Sequence, residues 1–231
     1  MQNNTLERIT RHLIIYSLSL DNIGLMNGKM GIALFFYHLS RFTKNENHAA
    51  YADELIQDVA SRLDYKIPRT FFDGLTGISW GFDHLTRNEF VSFEEEDILT
   101  DLDKALLEIN IAKLFDESFS TGVRGIAYYI VSRCSGKTAV PAPFCKEYIR
   151  VLYDRMNRIE ADPTAIHLQN RLERILNGDI IEYESNTFYQ LLGNEPYDEA
   201  NLFIQTRNMG LIDNGYAGIG LHILKSMELN R

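Results

Sequence analysis

A seven-residue pattern, polar-Gly-x-x-Gly-Ile-small, is written four times in this chain and limits its fold more than any other feature. The copies are Asn27-Gly28-Lys29-Met30-Gly31-Ile32-Ala33, Asp73-Gly74-Leu75-Thr76-Gly77-Ile78-Ser79, Thr121-Gly122-Val123-Arg124-Gly125-Ile126-Ala127 and Asn214-Gly215-Tyr216-Ala217-Gly218-Ile219-Gly220. Their first glycines are separated by 46, 48 and 93 residues, and the last interval is close to twice the others. One copy has therefore eroded, near residue 168. A fixed period in this range marks a repeat architecture, in which each unit buries its apolar face only against its neighbours.

The segments between the glycine pairs read as helices. Ile32 to Leu39 is apolar nearly all round, which suits a helix enclosed by other helices. From His48 to Leu63, by contrast, apolar Tyr51, Leu55, Val59 and Leu63 recur every four residues and the other face is polar, as in an outer helix. Ser92 followed by Glu95 forms a capping box ahead of another amphipathic helix. Pro141 and Pro143 start a helix near residue 143, and Asp162-Pro163 starts the next, which runs to Asn177 with Gly178 as a left-handed cap. That last helix falls where the missing repeat belongs and lacks both glycines. The count is five helical hairpins, the fourth degenerate. No sustained period-two alternation bounded by turn signals is present, so the expected class is all-α.

Composition narrows the possibilities further. The 231 residues are 45% apolar, with five prolines and no Ser- or Gly-rich linker, so the expectation is a single domain over 1–231. A formal charge of −9 argues against nucleic acid and against anionic membrane surfaces. Two cysteines, Cys134 and Cys145, make neither a disulfide framework nor a zinc ribbon. The run Leu13-Ile14-Ile15-Tyr16 is too short for a signal peptide, and no apolar stretch reaches the ~20 residues of a membrane span. A soluble protein of the reducing cytoplasm is expected.

A helix that begins with two glycines three apart has a packing constraint at its first turn, where four N–H groups are unpaired and a side chain is absent. The eight glycines Gly28, Gly31, Gly74, Gly77, Gly122, Gly125, Gly215 and Gly218 are therefore read as setting helix-to-helix approach. The polar residues ahead of them, Asn27, Asp73, Thr121 and Asn214, are common N-caps.

This repeated motif opening apolar helices resembles the lanthionine synthetase C-like (LanC-like) proteins, and the likeness runs from about Gly24 to Leu224. The resemblance implies an α/α toroid of helical hairpins. The family's usual ring has seven, so about five implies a shortened or incompletely closed one. The family's cyclases hold a catalytic zinc with two cysteines and a histidine placed just before glycine pairs. In this sequence Asp213 and Asn214 stand in the Cys-His slot, and Met26, Phe72 and Ser120 in the positions equivalent to the other cysteine. None is a thiol or an imidazole, so the resemblance implies a member that needs no zinc or other cofactor. Cys134, Cys145 and His222 are read as packing or surface residues rather than a replacement set.

Two kinds of site remain open. The residues preceding and within the glycine pairs, Asn27, Lys29, Asp73, Thr121, Arg124, Asp213, Asn214 and Tyr216, are candidates for a binding mouth, where converging helix N-termini would suit carboxylate or carbonyl groups of a peptide. Alternatively Asp73 and Asp213, with Asp116 and Glu117 in reserve, supply the two carboxylates of a glycan hydrolase. Asp101-Leu102-Asp103 is a fragment of a terpenoid-type motif on a solvated outer helix. The acidic run from Glu94 sits in a helix's first turn, which favours negative charge. Tyr37, Trp80, Tyr128, Tyr129 and Tyr216, on or beside the enclosed helices, either line the funnel or fill the core, and their helical spacing favours the core. The leading expectation is a non-catalytic LanC-like protein that binds a peptide or a peptide-maturation enzyme. A degenerate lanthionine cyclase and a carboxylate enzyme are the alternatives, and a homodimer is possible if an unclosed array exposes an apolar flank.

Overall fold

The computed structural model describes residues 2–64, 66–91, 95–184, 189, 191–192, 208–212 and 214–229 of the chain. Among these it holds nine α-helices and no strand, in agreement with the all-α expectation. Two compact units are formed, one from residues 1–64 and 185–231 and the other from residues 65–184.

In the first unit α1 (Gln2–Tyr16) and a 3-10 turn (Ser17–Ser19) lead to α2 (Lys29–Thr43), α3 (Glu46–Ser61) and, from the end of the chain, α9 (Tyr216–Leu229). The enclosed helix is α2: every residue from Met30 to Tyr37 is buried, and it packs on both α3 and α9. Only one stripe of α3 is buried, Ala52, Leu55, Ile56 and Val59, as its period of four requires. The turn between them is set locally. Lys44 takes the left-handed conformation at φ 59°, and the Asn45 side chain then caps α3 by accepting from the Asn47 N–H. The apolar run near the N-terminus ends α1, where Leu13 is buried and Ile15 faces outward.

The second unit contains α4 (Leu75–Arg87), α5 (Glu95–Leu107), α6 (Val123–Cys134), α7 (Lys146–Met156) and α8 (Pro163–Asn177). Here α4 packs on α5 and α6, and α6 packs on α7 and α8. The core gathers Phe71, Trp80, Phe82, Tyr129, Ile130, Leu152 and Leu172. The Ser92 of the expected capping box lies outside the described residues. Both prolines ahead of α7 stay outside the helix, which begins at Lys146 with Cys145 as its N-cap rather than near residue 143. The eroded repeat forms a full helix. Asp162 caps α8 by accepting from the Ala165 N–H, Pro163 fills its first position, and Gly178 ends it in the left-handed region at φ 86°. Unlike α2, α4 and α6, it is buried on a single stripe. Among the described residues no helix is long and apolar enough to cross a membrane.

Candidate functional site

The glycine ends of the enclosed helices share one construction. In α2 the Lys29 N–H donates to the Asn22 carbonyl at 3.0 Å, in α4 Leu75 donates to Pro68 at 2.8 Å, and in α6 Val123 donates to Asp116 at 3.0 Å, each seven residues back. Tyr216 of α9 donates to Asn208 at 3.0 Å, eight residues back. The loop thus curls over the helix it is about to enter and uses its orphan donors. Glycine is required because that loop lies so close. A Cβ on Gly74 would fall far inside contact of the Pro68 carbonyl oxygen, and one on Gly218 inside that of Leu211. The expectation that the paired glycines set helix-to-helix approach is refined: for Gly31, Gly74, Gly122, Gly125, Gly215 and Gly218 the nearest atom is a carbonyl oxygen of the preceding loop, and for Gly28 it is the Gly24 nitrogen, with Leu211 also close to Gly31 and Phe71 to Gly125. A glycine that does admit a neighbouring helix is Gly220, against the Phe35 ring of α2.

Two further expectations are revised by this construction. Gly28, Gly74 and Gly122 are themselves the N-caps, in extended conformation and without a side-chain cap bond, so Asn27, Asp73 and Thr121 sit one residue too early to cap. The N–H groups of Lys29, Met30, Leu75, Gly77, Val123, Tyr216, Ala217 and Gly218 already meet carbonyls, which narrows what those helix starts offer to an anion.

The candidate mouth residues separate into distinct roles. Lys29 is buried rather than projecting: its Nζ donates to Asp58 of α3 at 2.6 Å and to the Leu18 carbonyl at 2.9 Å. That contact holds the Asp58 carboxyl below its usual value. Arg124 turns sideways onto Asp162 and the Glu160 carbonyl, tying α6 to the cap of α8. Tyr216 is buried, with its ring 4.3 Å from that of His12 in α1. Asn27 accepts from the Asn208 carboxamide, and Asn214 is a half-buried turn residue at φ 54°. Asp213 lies outside the described residues. In the second unit Asp73 is half-buried and Thr121 exposed, and their loops are joined because the Ser120 carbonyl accepts from both Phe71 and Phe72. Thr121 donates to Asp116 at 2.5 Å, and this bond, followed by those from Ser118, keeps the Asp116 carboxyl low, so it remains ionised rather than serving as an acid. Glu117, also held in reserve, pairs with Arg155 at 3.2 Å.

A cluster that the sequence did not reveal occupies the other end of α4 and α6. Asp103 of α5 is fully buried, not on a solvated face: it accepts from Tyr129 Oη at 2.5 Å and from Arg133 Nε at 3.0 Å. Burial nevertheless pushes its carboxyl up to about 6. Asp83 accepts from Arg87 Nε at 2.7 Å and from Ser132 at 3.1 Å, with Arg133 3.8 Å away. The rest of the Arg87 guanidinium donates to the carbonyls of Ser132, Arg133 and Ser135, satisfying the C-terminus of α6. Two carboxylates and two guanidinium groups are thereby balanced inside the unit. The available signal was the presence of Asp83, Arg87 and Arg133 on helices otherwise buried all round. A charge kept on such a helix needs a buried partner. Nearby, His84 stacks on Trp80 and its Nδ1 meets Tyr183 Oη at 2.9 Å.

The donor set at the slots implied for zinc does not fit that metal. Met26 is a thioether sealed in the core, Phe72 a half-buried ring, Ser120 a neutral hydroxyl and Asn214 a carboxamide, none of them the thiolates and imidazole of such a site. Cys134 is buried, with its thiol pushed up to about 12 chiefly by burial, and Cys145 is exposed. Among the described residues no group of three or more His, Cys, Asp and Glu side chains is placed to hold a metal ion.

Comparison with known proteins places this architecture. No curated protein matches the chain. The family model for lanthionine synthetase C-like proteins matches residues 19–201, and the all-helical order is consistent with that family's α/α-toroid class. With well over half of its length matched, the chain belongs to the lanthionine synthetase C-like family.

Proposed function

We propose that this chain is a zinc-free member of its family that acts without catalysis, by binding a peptide or a peptide-maturation enzyme. The observation that carries this reading is the chemistry of the slots ahead of the glycine pairs: Met26, Phe72, Ser120 and Asn214 offer no thiolate and no imidazole. A thioether-forming cyclase needs a soft metal site to turn a substrate thiol into a thiolate at neutral pH. These residues cannot supply one.

The glycine end of the second unit is the favoured contact surface. Phe115 is 91% exposed there, next to the ionised Asp116, and half-buried Phe72 and Asp73 lie on the loop bound to Ser120. An aromatic side chain flanked by carboxylates suits an apolar residue next to a basic one on a peptide.

Affinity capture from the native host followed by mass spectrometry tests the reading. A peptide or peptide-maturation enzyme recovered with the natural chain, and reduced at least tenfold with Phe115→Ala and Thr121→Glu, is the expected result. Recovery of a glycan that the protein hydrolyses, with turnover abolished by Asp73→Asn or Asp213→Asn, would replace it with carboxylate catalysis. Stoichiometric zinc in the purified protein would overturn its zinc-free part.

A further inference from the structure

The second unit contains a cavity of about 430 Å³ at the C-terminal end of α6, the end opposite its glycines. It lies between that helix end, the connection from residue 137 to residue 145, the start of α7 and the end of α8. Its size falls in the lower part of the range of small-molecule sites, roughly 300–1,000 Å³. Val140, Phe144 and Ile175 give it apolar walls, and Lys137 gives it a half-buried ammonium.

The charges around this cavity do not balance. Arg87 and Arg133 are matched by Asp83 and Asp103: Arg87 is taken up by Asp83 and three carbonyls, and Arg133 Nε donates to Asp103 with Asp83 3.8 Å from its Nη1. Asp179, on the cavity wall, pairs with Arg174 at 3.7 Å. Glu147 is held by its own N–H and by the Cys145 thiol. Lys137 and Lys146 both line the cavity; among the described residues neither ammonium makes a direct ion pair or hydrogen bond, and Lys146 shares the field of its neighbour Glu147. Burial, and then the guanidinium groups of Arg133 and Arg87, hold the Lys137 amine below its usual value, outweighing the opposing pull of Asp83 and Asp103. Such a cavity in a chain of net charge −9 is a local exception.

We propose that this cavity is a second binding site, independent of the glycine end, for a carboxylate carried on a short apolar body. Lys137 supplies the countercharge, Lys146 adds to it at the rim, and Val140, Phe144 and Ile175 cover the apolar part. The carboxylate belongs either to a free organic acid or to the C-terminus of a peptide.

The two cysteines provide the readout. Cys134 is buried with a strongly raised thiol, so alkylation by iodoacetamide near neutral pH reports on exposed Cys145 at the cavity wall. Calorimetric titrations with pentanoate and N-acetylleucine, against pentanamide and N-acetylleucinamide, should show acids binding at least tenfold more tightly than their amides. Saturating acid should slow Cys145 alkylation at least fivefold. Lys137→Met and Lys137→Gln, each checked for folding by thermal melting, should weaken acid binding about tenfold, and Lys146→Met should do so by less. Preference for N-acetylleucine assigns the site to a chain terminus, and preference for pentanoate to a free acid. Equal binding of acids and amides, an unchanged alkylation rate with acid bound, or undiminished binding to the folded Lys137 variants would overturn the proposal.

Discussion

The two ends of α4 and α6 are held by opposite means. At the glycine end, the first-turn N–H groups of Leu75, Gly77 and Val123 meet carbonyls of the chain's own preceding loops, so the helix start is closed by backbone on backbone. At the other end the ladder is closed by side chains, with Arg87 spread over three carbonyls of α6 and fixed by Asp83. A backbone solution is independent of side-chain identity except where a Cβ would collide, so it can be written again in every repeat and leaves only glycines as its trace. A side-chain solution depends on particular partners. The cluster of Asp83, Arg87, Asp103 and Arg133 accordingly has no echo in the repeat motif.

The contrast is open to measurement, and the largest effect is expected at the glycine end. Gly74→Ala places a Cβ against the Pro68 carbonyl, which belongs to backbone and cannot swing away. We expect a loss of about 4 kcal/mol or more, or failure to fold. Gly178→Ala is the control, since nothing lies within 4 Å of its Cβ position and only its left-handed φ of 86° is strained, at about 1–2 kcal/mol. Similar urea midpoints for the two variants would break the close-approach argument.

At the charged end, Arg133→Met leaves Asp103 buried without its cation and should cost about 3–5 kcal/mol in urea unfolding. A loss below about 1 kcal/mol would show that Tyr129 alone satisfies that carboxylate.

The smallest effect is a pH dependence. Burial raises Asp103 to about 6 from an ordinary 3.8, so folding takes up a proton between those values. The stability tied to its protonated form is full below pH 3.8 and is lost as the pH rises through about 6. Asp103→Asn carries no such titration. Its stability relative to the natural chain should therefore improve by up to about 3 kcal/mol between pH 4 and pH 7. A constant difference across that range would show that Arg133 and Tyr129 outweigh burial.

The helical plan was legible because its signals are local. The period of four in α3, Asp162-Pro163 and Gly178 at the ends of α8, and the enclosed apolar run of α2 each act within a turn or two of the chain. The fate of individual polar residues was not. Lys29 and Arg124 occupy equivalent neighbourhoods of the motif, yet one is buried against Asp58 and the other braces Asp162, because each follows the partner that its own neighbouring helix presents. Asp103 reads as part of a solvated face, and only the arrival of Tyr129 and Arg133 from α6 makes it a core residue.

The sequence by itself determined the all-α class, the membership implied by four glycine pairs, and the absence of thiolate and imidazole from the slots ahead of them. These follow from residue type and spacing, which no packing can alter. Tertiary structure decided that the paired glycines serve their own loops, that four charges are neutralised inside the second unit, and that Lys137 beside a cavity is left without a direct ion pair. Each of those depends on which groups meet across tens of residues of chain, where hydrogen bonding and Coulomb energy are set by distance and burial rather than by order in the sequence.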